Sequence, residues 1–198
     1  RIMSNVALAS AAASRPAINS WFVAVAVIIP TFMEVLDTTV AIVSLRYIAG
    51  DLSAAVVDAE WVLTSYLAAN ATILPISGWL SARLGRRNYF LSSIAVFTVA
   101  SALCGLAWNL PTLVMFRVLQ GMGGGAIIPT AQAILFQRFP REQHGTAAAL
   151  FGLGAITGPL LGPTIGGYGC EWASWHWIFL VNVPIGIVVG LVIPKVIQ

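Results

Sequence analysis

The sequence predicts an all-α integral membrane protein, a bundle of six transmembrane helices, and three observations predict it. Of the 198 residues, 59% are hydrophobic and only 9% are charged, with a mean hydropathy of +0.89. A soluble domain carries about 25% charged residues, so this chain cannot cover a water-facing surface. The apolar stretches are each near the roughly 20 residues that a bilayer requires, and they contain Gly and Pro. They therefore read as helices, not as the alternating strands of an outer-membrane barrel. Finally, most of the charged residues fall outside these stretches, with the basic ones biased to alternate connections.

Residues 1–20 form a leader of small residues with Arg1 and Arg15, expected to be cytoplasmic, and residues 21–198 form the bundle. The first apolar run could pass for the core of a signal peptide as far as Met33. Glu34 and Asp37 interrupt it and more spans follow, so it reads as a first spanning helix over about 21–45, with Pro30 as a kink site. The second span, about 61–80, is rich in polar side chains: Thr64, Ser65, Tyr66, Asn70 and Thr72. A short basic turn, Arg83 to Arg87, leads to the third span, about 89–107. The uncharged turn Trp108-Asn109-Leu110-Pro111 leads to the fourth, about 111–136. A loop with Arg138, Arg141, Glu142 and His144 precedes the fifth, about 145–168. A Trp-rich loop, Glu171 to His176, precedes the sixth, about 177–193.

With a cytoplasmic N-terminus, the cytoplasmic segments hold Arg1, Arg15, Arg83, Arg86, Arg87, Arg138, Arg141 and Lys195, eight of the ten basic residues. The opposite loops hold Arg46 alone, together with Asp51, Asp58, Glu60 and Glu171. This asymmetry predicts a multi-pass inner (plasma) membrane protein with both ends of the chain inside. Trp61, Trp108, Trp172, Trp175 and Trp177 gather at the predicted outer interface as an aromatic belt.

Several classes are excluded. The net charge of +3 is no nucleic-acid signal, because the basic residues lie in membrane-flanking loops and not in one patch. Cys104 and Cys170 have no metal-ligand spacing, and Cys104 reads as a small packing residue. His144 and His176 fall on opposite sides, so no Ser-His-Asp arrangement forms. No phosphate-cradling loop with its Lys is present. The chain is expected to be no enzyme and to hold no cofactor or metal.

What remains is buried charge. A charge at the bilayer centre costs about 2.5 to 3.5 kcal/mol on insertion scales, so an intramembrane carboxylate points to an ion or substrate path. Glu34 and Asp37, three residues apart, share nearly one helix face. Close carboxylates in low-dielectric surroundings bind protons more readily than in water, which suits them to proton exchange. A structural carboxylate holding polar neighbours such as Thr38 is the plainer alternative. Arg117, the one basic residue deep in a span, stays protonated. Its available counter-charges are Asp37 and Glu34, so a functional pair or a purely structural one between the first and fourth spans is expected. Gln120 lies nearby, and Gly121 to Gly125 permit close approach of a backbone or ligand. In the fifth span Gly154, Gly158, Gly162 and Gly166 recur every four residues, with Pro159, Pro163 and Gly167. That stripe makes a groove for a neighbouring helix, and either plain packing or a hinge would use it.

These segments together resemble the N-terminal half of the major facilitator superfamily, specifically its drug/proton antiporters of the EmrB/QacA type. Leu36-Asp37-Thr38-Thr39-Val40 is similar to that group's first-helix motif. Gly78 to Arg87, with Arg83, Gly85 and Arg86, is similar to the superfamily's signature between helices 2 and 3. Arg117 to Gly121 resembles the fourth-helix motif, and Gly154 to Gly167 the antiporter motif of the fifth. Trp175 to Phe179 with Asn182-Val183-Pro184 is similar to the start of the sixth. Two departures stand out. Ala82 occupies the place of an Asp that, by resemblance, helps latch the two halves, and Arg46 the place of a Pro. The resemblance implies a 3+3 repeat of helices, and proton coupling through Asp37, Glu34 and Arg117. It implies a proton gradient as energy source and a second six-helix half as partner. The implied function is proton-coupled export of amphipathic drugs or toxic compounds, with Thr38, Tyr66, Asn70 and Gln120 lining the substrate cavity. A nutrient symporter or uniporter of the same fold, or a non-transporting truncated subunit, stays open at this point.

Overall fold

A computed structural model describes residues 19–197. Of the leader expected over residues 1–20, all but Asn19 and Ser20 lie outside the described residues, as does Gln198. The long helices are α1 (Ser20–Asp51), α3 (Trp61–Leu84), α4 (Arg86–Cys104) and α7 (His144–Trp172). A short α2 (Val56–Ala59) precedes α3. The fourth span is built from α5 (Leu110–Gly124) and α6 (Ile127–Arg138), and the sixth from α8 (His176–Leu180) and α9 (Asn182–Val196). A 3-10 turn, Arg141–Gln143, joins α6 to α7.

The fourth and sixth spans each cross as one stretch but carry a local break that the sequence reading did not place, and proline explains both. Pro129 has no N–H for the carbonyl of Gly125 four residues back, and the fourth span turns at Gly125 and Ala126. Pro184 likewise leaves the carbonyl of Leu180 without its usual donor, and the sixth span is interrupted at Val181. Helices α1 and α7, by contrast, run unbroken through Pro30, Pro159 and Pro163. Helix α1 also continues six residues past its expected end at Leu45. Arg46 keeps the backbone N–H that a Pro would lack, so nothing stops the helix there. The basic turn is a single residue: Gly85, at φ 81°, adopts a conformation that a side chain would oppose.

Five of the described helical stretches are both long and apolar enough to cross a bilayer: 20–51, 86–104, 110–138, 141–172 and 176–196. The second expected span, α3, has the length but not the hydropathy. Its 24 residues reach about 36 Å, and its polar side chains are the reason. Tyr66 and Ser65 are buried in the bundle, and Asn70 is half-buried.

Packing follows a pattern that is unchanged when the first three spans are exchanged for the last three. Helix α1 packs on α7 as α3 packs on α5, and α4 packs on α5 as α9 packs on α1. Helices α4 and α9 also touch each other. This is the 3+3 arrangement expected for one half of the facilitator fold. The glycine stripe of α7 faces α1. A Cβ on Gly158 would sit 2.8 Å from Val35 Cγ1, one on Gly166 would sit 3.1 Å from Val40 Cγ1, and ones on Gly154 and Gly162 would collide with Ile28 and Thr39. The stripe is thus a seat for α1, and Thr39 Oγ1 donates to the carbonyl of Gly158 at 3.4 Å. Gly167 faces open space.

Two apolar clusters fill the interior. One gathers Val27, Met33, Phe90, Phe97, Ile134 and Ile193, and the other Leu36, Val40, Ile48, Leu113, Trp175 and Phe179. Trp175 departs from the expected aromatic belt. Trp61, Trp108, Trp172 and Trp177 are exposed, whereas Trp175 is buried. Its Nε1 donates to Asp51 Oδ2 at 2.7 Å and its ring stacks on His176 at 3.7 Å. At the other end Arg87 Nη2 donates to the Pro194 carbonyl at 2.9 Å, tying α4 to α9.

Candidate functional site

A layer of buried polar side chains separates the two apolar clusters, and Asp37 is its centre. Arg117, from α5, donates through Nη1 to Asp37 Oδ2 at 2.6 Å, with both side chains fully buried. The other carboxylate oxygen, Oδ1, accepts from Gln120 Nε2 at 3.0 Å and from Asn182 Nδ2 at 2.7 Å. Gln120 turns its own Oε1 toward Arg117 Nη1 at 2.8 Å. Ser101, on α4, accepts from Gln120 and Asn182, each at 3.2 Å, and donates to the Phe179 carbonyl at 2.9 Å. Asp37 therefore accepts from three donors on two helices. Multiple charge-assisted hydrogen bonds of this kind hold a buried carboxylate that burial alone would expel.

Arg117 is held by aromatic faces as well. Its guanidinium carbon lies 5.0 Å from the Tyr66 ring centre and 4.7 Å from that of Phe179. Both are within cation–π range. Its Nε and Nη2 have no hydrogen-bond partner among the described residues.

Glu34 stands apart from this pair. Its Oε1 accepts from Asn70 Nδ2 at 3.1 Å and from Tyr66 Oη at 3.4 Å, while Oε2 has no hydrogen-bond partner among the described residues. Of the two available counter-charges, it is Asp37 that pairs with Arg117. Glu34 instead lines a groove of about 450 Å³ between α3 and the junction of α5 and α6. Of the residues expected to line a cavity, Asn70 is on this groove. Tyr66 and Gln120 are buried, and Thr38 is half-buried and donates to the Glu34 carbonyl at 3.2 Å.

Sequence reasoning did not single out Asn182 or Ser101. Asn182 was visible only as part of a motif at the start of the sixth span. Ser101 looked like any small residue of an apolar helix.

The remaining motif residues frame the ends of the bundle. Arg83 lies over the Trp79 ring at 5.2 Å, and Gly78 and Gly85 are exposed. Arg86 joins Arg87 and Arg138 around a cleft of about 570 Å³. Ala82, where the resembling signature has an acid, is exposed on the rim of the same cleft.

The chain as a whole is similar to known proteins. The sequence matches the Major Facilitator Superfamily over residues 9–197. The chain belongs to that superfamily. Within it, the chain is 42% identical over 169 residues to the probable multidrug resistance protein EmrY of Escherichia coli, covering 85% of this chain and 33% of that protein. It is 44% identical over 166 residues to the multidrug export protein EmrB of Haemophilus influenzae, covering 84% and 32%. The chain thus spans about one third of the length of these curated relatives. Among solved structures, the inward-open xylose transporter XylE from E. coli superposes with a TM-score of 0.79, at 15% identity, over 91% of this chain and 49% of that one. That likeness concerns the fold: the bundle matches about half of a facilitator-type transporter chain, consistent with an N-terminal half. The facilitator chain described here is a multi-pass membrane protein.

Proposed function

We propose that this chain is the N-terminal half of a proton-coupled antiporter that exports amphipathic drugs or other toxic compounds across the inner membrane. Both ends of the half lie in the cytoplasm in this reading, and a second six-helix half completes the transport path. The proton gradient supplies the energy, with no enzymatic step and no cofactor. Asp37 takes up and releases the proton, Arg117 answers the change of charge, and Glu34 acts beside them.

The observation that carries this reading is the buried pair of Asp37 and Arg117. Opposite charges 2.6 Å apart in a dry interior stabilise one another, and removing one leaves the other uncompensated. A proton on Asp37 removes its charge and loosens the pair, so Arg117 and its neighbours become available to another partner. Alternation between proton and substrate is the thermodynamic requirement of antiport. The similarity to EmrY and EmrB supports the drug class, and the α7 glycine seat beneath α1 supports a close coupling of the antiporter motif to the helix of Asp37. The exposed faces of α3 and α7 support a second half docked against them.

The test is the Asp37→Asn variant of the complete transporter in proteoliposomes. The variant mimics the protonated carboxyl. It is expected to remain folded and to exchange substrate down its gradient, while losing uphill export under an imposed pH gradient. Export at the wild-type rate would refute the assignment.

A further inference from the structure

We infer that the cleft at Arg86, Arg87 and Arg138 binds the phosphate of an anionic phospholipid headgroup. The inference goes beyond the export reading and does not depend on it.

The cleft lies where the turn from α3 to α4 meets the ends of α6 and α9, and it holds about 570 Å³. Three arginines line it and, among the described residues, no carboxylate does. On its rim stands Ala82, which brings no charge. Glu142, the one described acid at this end of the bundle, sits on the 3-10 turn and outside the cleft. Arg83, Arg141 and Lys195 share this end, so the local field is positive well beyond the cleft itself.

The donors suit a phosphate. Arg87 is anchored through Nη2 to the Pro194 carbonyl, and its Nε is buried with no hydrogen-bond partner among the described residues. A guanidinium fork matches the oxygens of a phosphate and stays charged. Helix α4 begins in the same cleft. Gly85 is its N-cap and brings no side chain, so the first-turn N–H groups of Arg86, Arg87 and Asn88 are left without a side-chain cap. A helix N-terminus of this kind favours an anion, and here it adds to the arginines. Two observations favour a lipid over a soluble phosphate or a nucleotide. The cleft includes Ile134 and Ile197, both buried, an apolar surface that a free ion cannot use. It also shares Ser81, Ala82 and Arg86 with a second groove of about 260 Å³, which runs on between α3 and α6 past Gly78, Pro129 and Ala133. The glycerol and acyl part of a lipid has room there. No aromatic side chain lines either space, so a nucleotide base finds no face to stack on. Basic pockets between spanning helices are suited to lipid headgroups for these reasons.

The probe is phosphatidylglycerol, titrated against the complete purified transporter in detergent, and native mass spectrometry reads the apparent Kd of the first lipid retained. Arg86→Gln is expected to weaken binding roughly fivefold, the effect of one basic charge. Ala82→Asp, which sets an acid on the rim and removes nothing, is expected to weaken it by about as much, while the neutral Ala82→Asn stays within about twofold of wild type. Both positions are exposed, so neither change opens the core. Arg141→Gln, at the same end but outside the cleft, is expected to stay within about twofold. Wild-type affinity in both Arg86→Gln and Ala82→Asp overturns the proposal. So does an equal loss in Arg141→Gln, because the lipid would then answer only to diffuse charge. Phosphatidylcholine held as tightly as phosphatidylglycerol, or displacement of the lipid by equimolar inorganic phosphate, overturns the assignment to an anionic lipid.

Discussion

Asn182 Nδ2 and Gln120 Nε2 converge on the same oxygen of Asp37, at 2.7 and 3.0 Å. They come from α9 and α5, so the carboxylate joins the sixth span to the fourth. Replacing Asn182 with Ala removes its hydrogen bonds to Asp37 and Ser101 and leaves buried polar atoms short of a partner. The expected cost is about 1 to 3 kcal/mol of stability, read as a lowered thermal midpoint in detergent. An unchanged midpoint would mean that Asn182 contributes nothing to the network.

A double-mutant cycle on the ion pair has an asymmetric outcome. Arg117→Met alone strands a buried carboxylate, with an expected loss of about 3 to 5 kcal/mol. Adding Asp37→Leu removes the stranded charge and should restore much of that loss. Simple additivity of the two changes would show that the pair is not coupled.

The glycine seat separates two classes of position on one helix. Gly162→Val drives side-chain atoms into Thr39, and overpacking of this kind costs about 1 to 3 kcal/mol. Gly167→Ala meets nothing within 4 Å and should stay within about 0.5 kcal/mol of the parent. Thermal unfolding of the pair, side by side, checks both.

Much of this architecture was legible because bilayer spans are set by length and hydropathy, and residues such as Leu153, Ile156 and Leu160 have no polar competition to interpret. The Asp37–Arg117 pair was legible for a related reason, since a lone buried Arg must find an acid and only Glu34 and Asp37 were available. Choosing between those two needed three dimensions, because both lie on nearly one face of α1. The breaks at Gly125–Ala126 and Val181 were not foreseen because Pro129 and Pro184 look no different in sequence from Pro30 or Pro159, which leave their helices unbroken. Trp175 was read as one of a belt of five, and only its contact with Asp51 distinguishes it. Ser101 carried no local signal and Asn182 only its place in a motif, as their importance lies in partners 19 and 145 residues away.

Topology can be checked independently of transport. Single cysteines at Ser81, Gln143, Asp51 and Glu171, in a background without Cys104 and Cys170, can be labelled in intact cells with an impermeant maleimide. The basic-residue asymmetry predicts labelling at Asp51→Cys and Glu171→Cys and protection at Ser81→Cys and Gln143→Cys. Labelling of Ser81→Cys from outside would invert the orientation.

Asp37, Ser101, Arg117 and Asn182 bring α1, α4, α5 and α9 to a single polar knot, while α3 and α7 are bound to this group by close glycine contacts and not by the knot. The half is therefore unequal in its mechanical freedom. Four of its helical elements share one hydrogen-bonded network, so moving any one of them against the others disturbs bonds common to all four. Helices α3 and α7 are fastened by close packing and by a few hydrogen bonds outside the knot, Asn70 and Tyr66 to Glu34 and Thr39 to the Gly158 carbonyl, so a shift of either one leaves the knot itself intact. An internal adjustment that spares the knot is therefore a shift of α3 or α7 against the other four elements, at the cost of those few bonds.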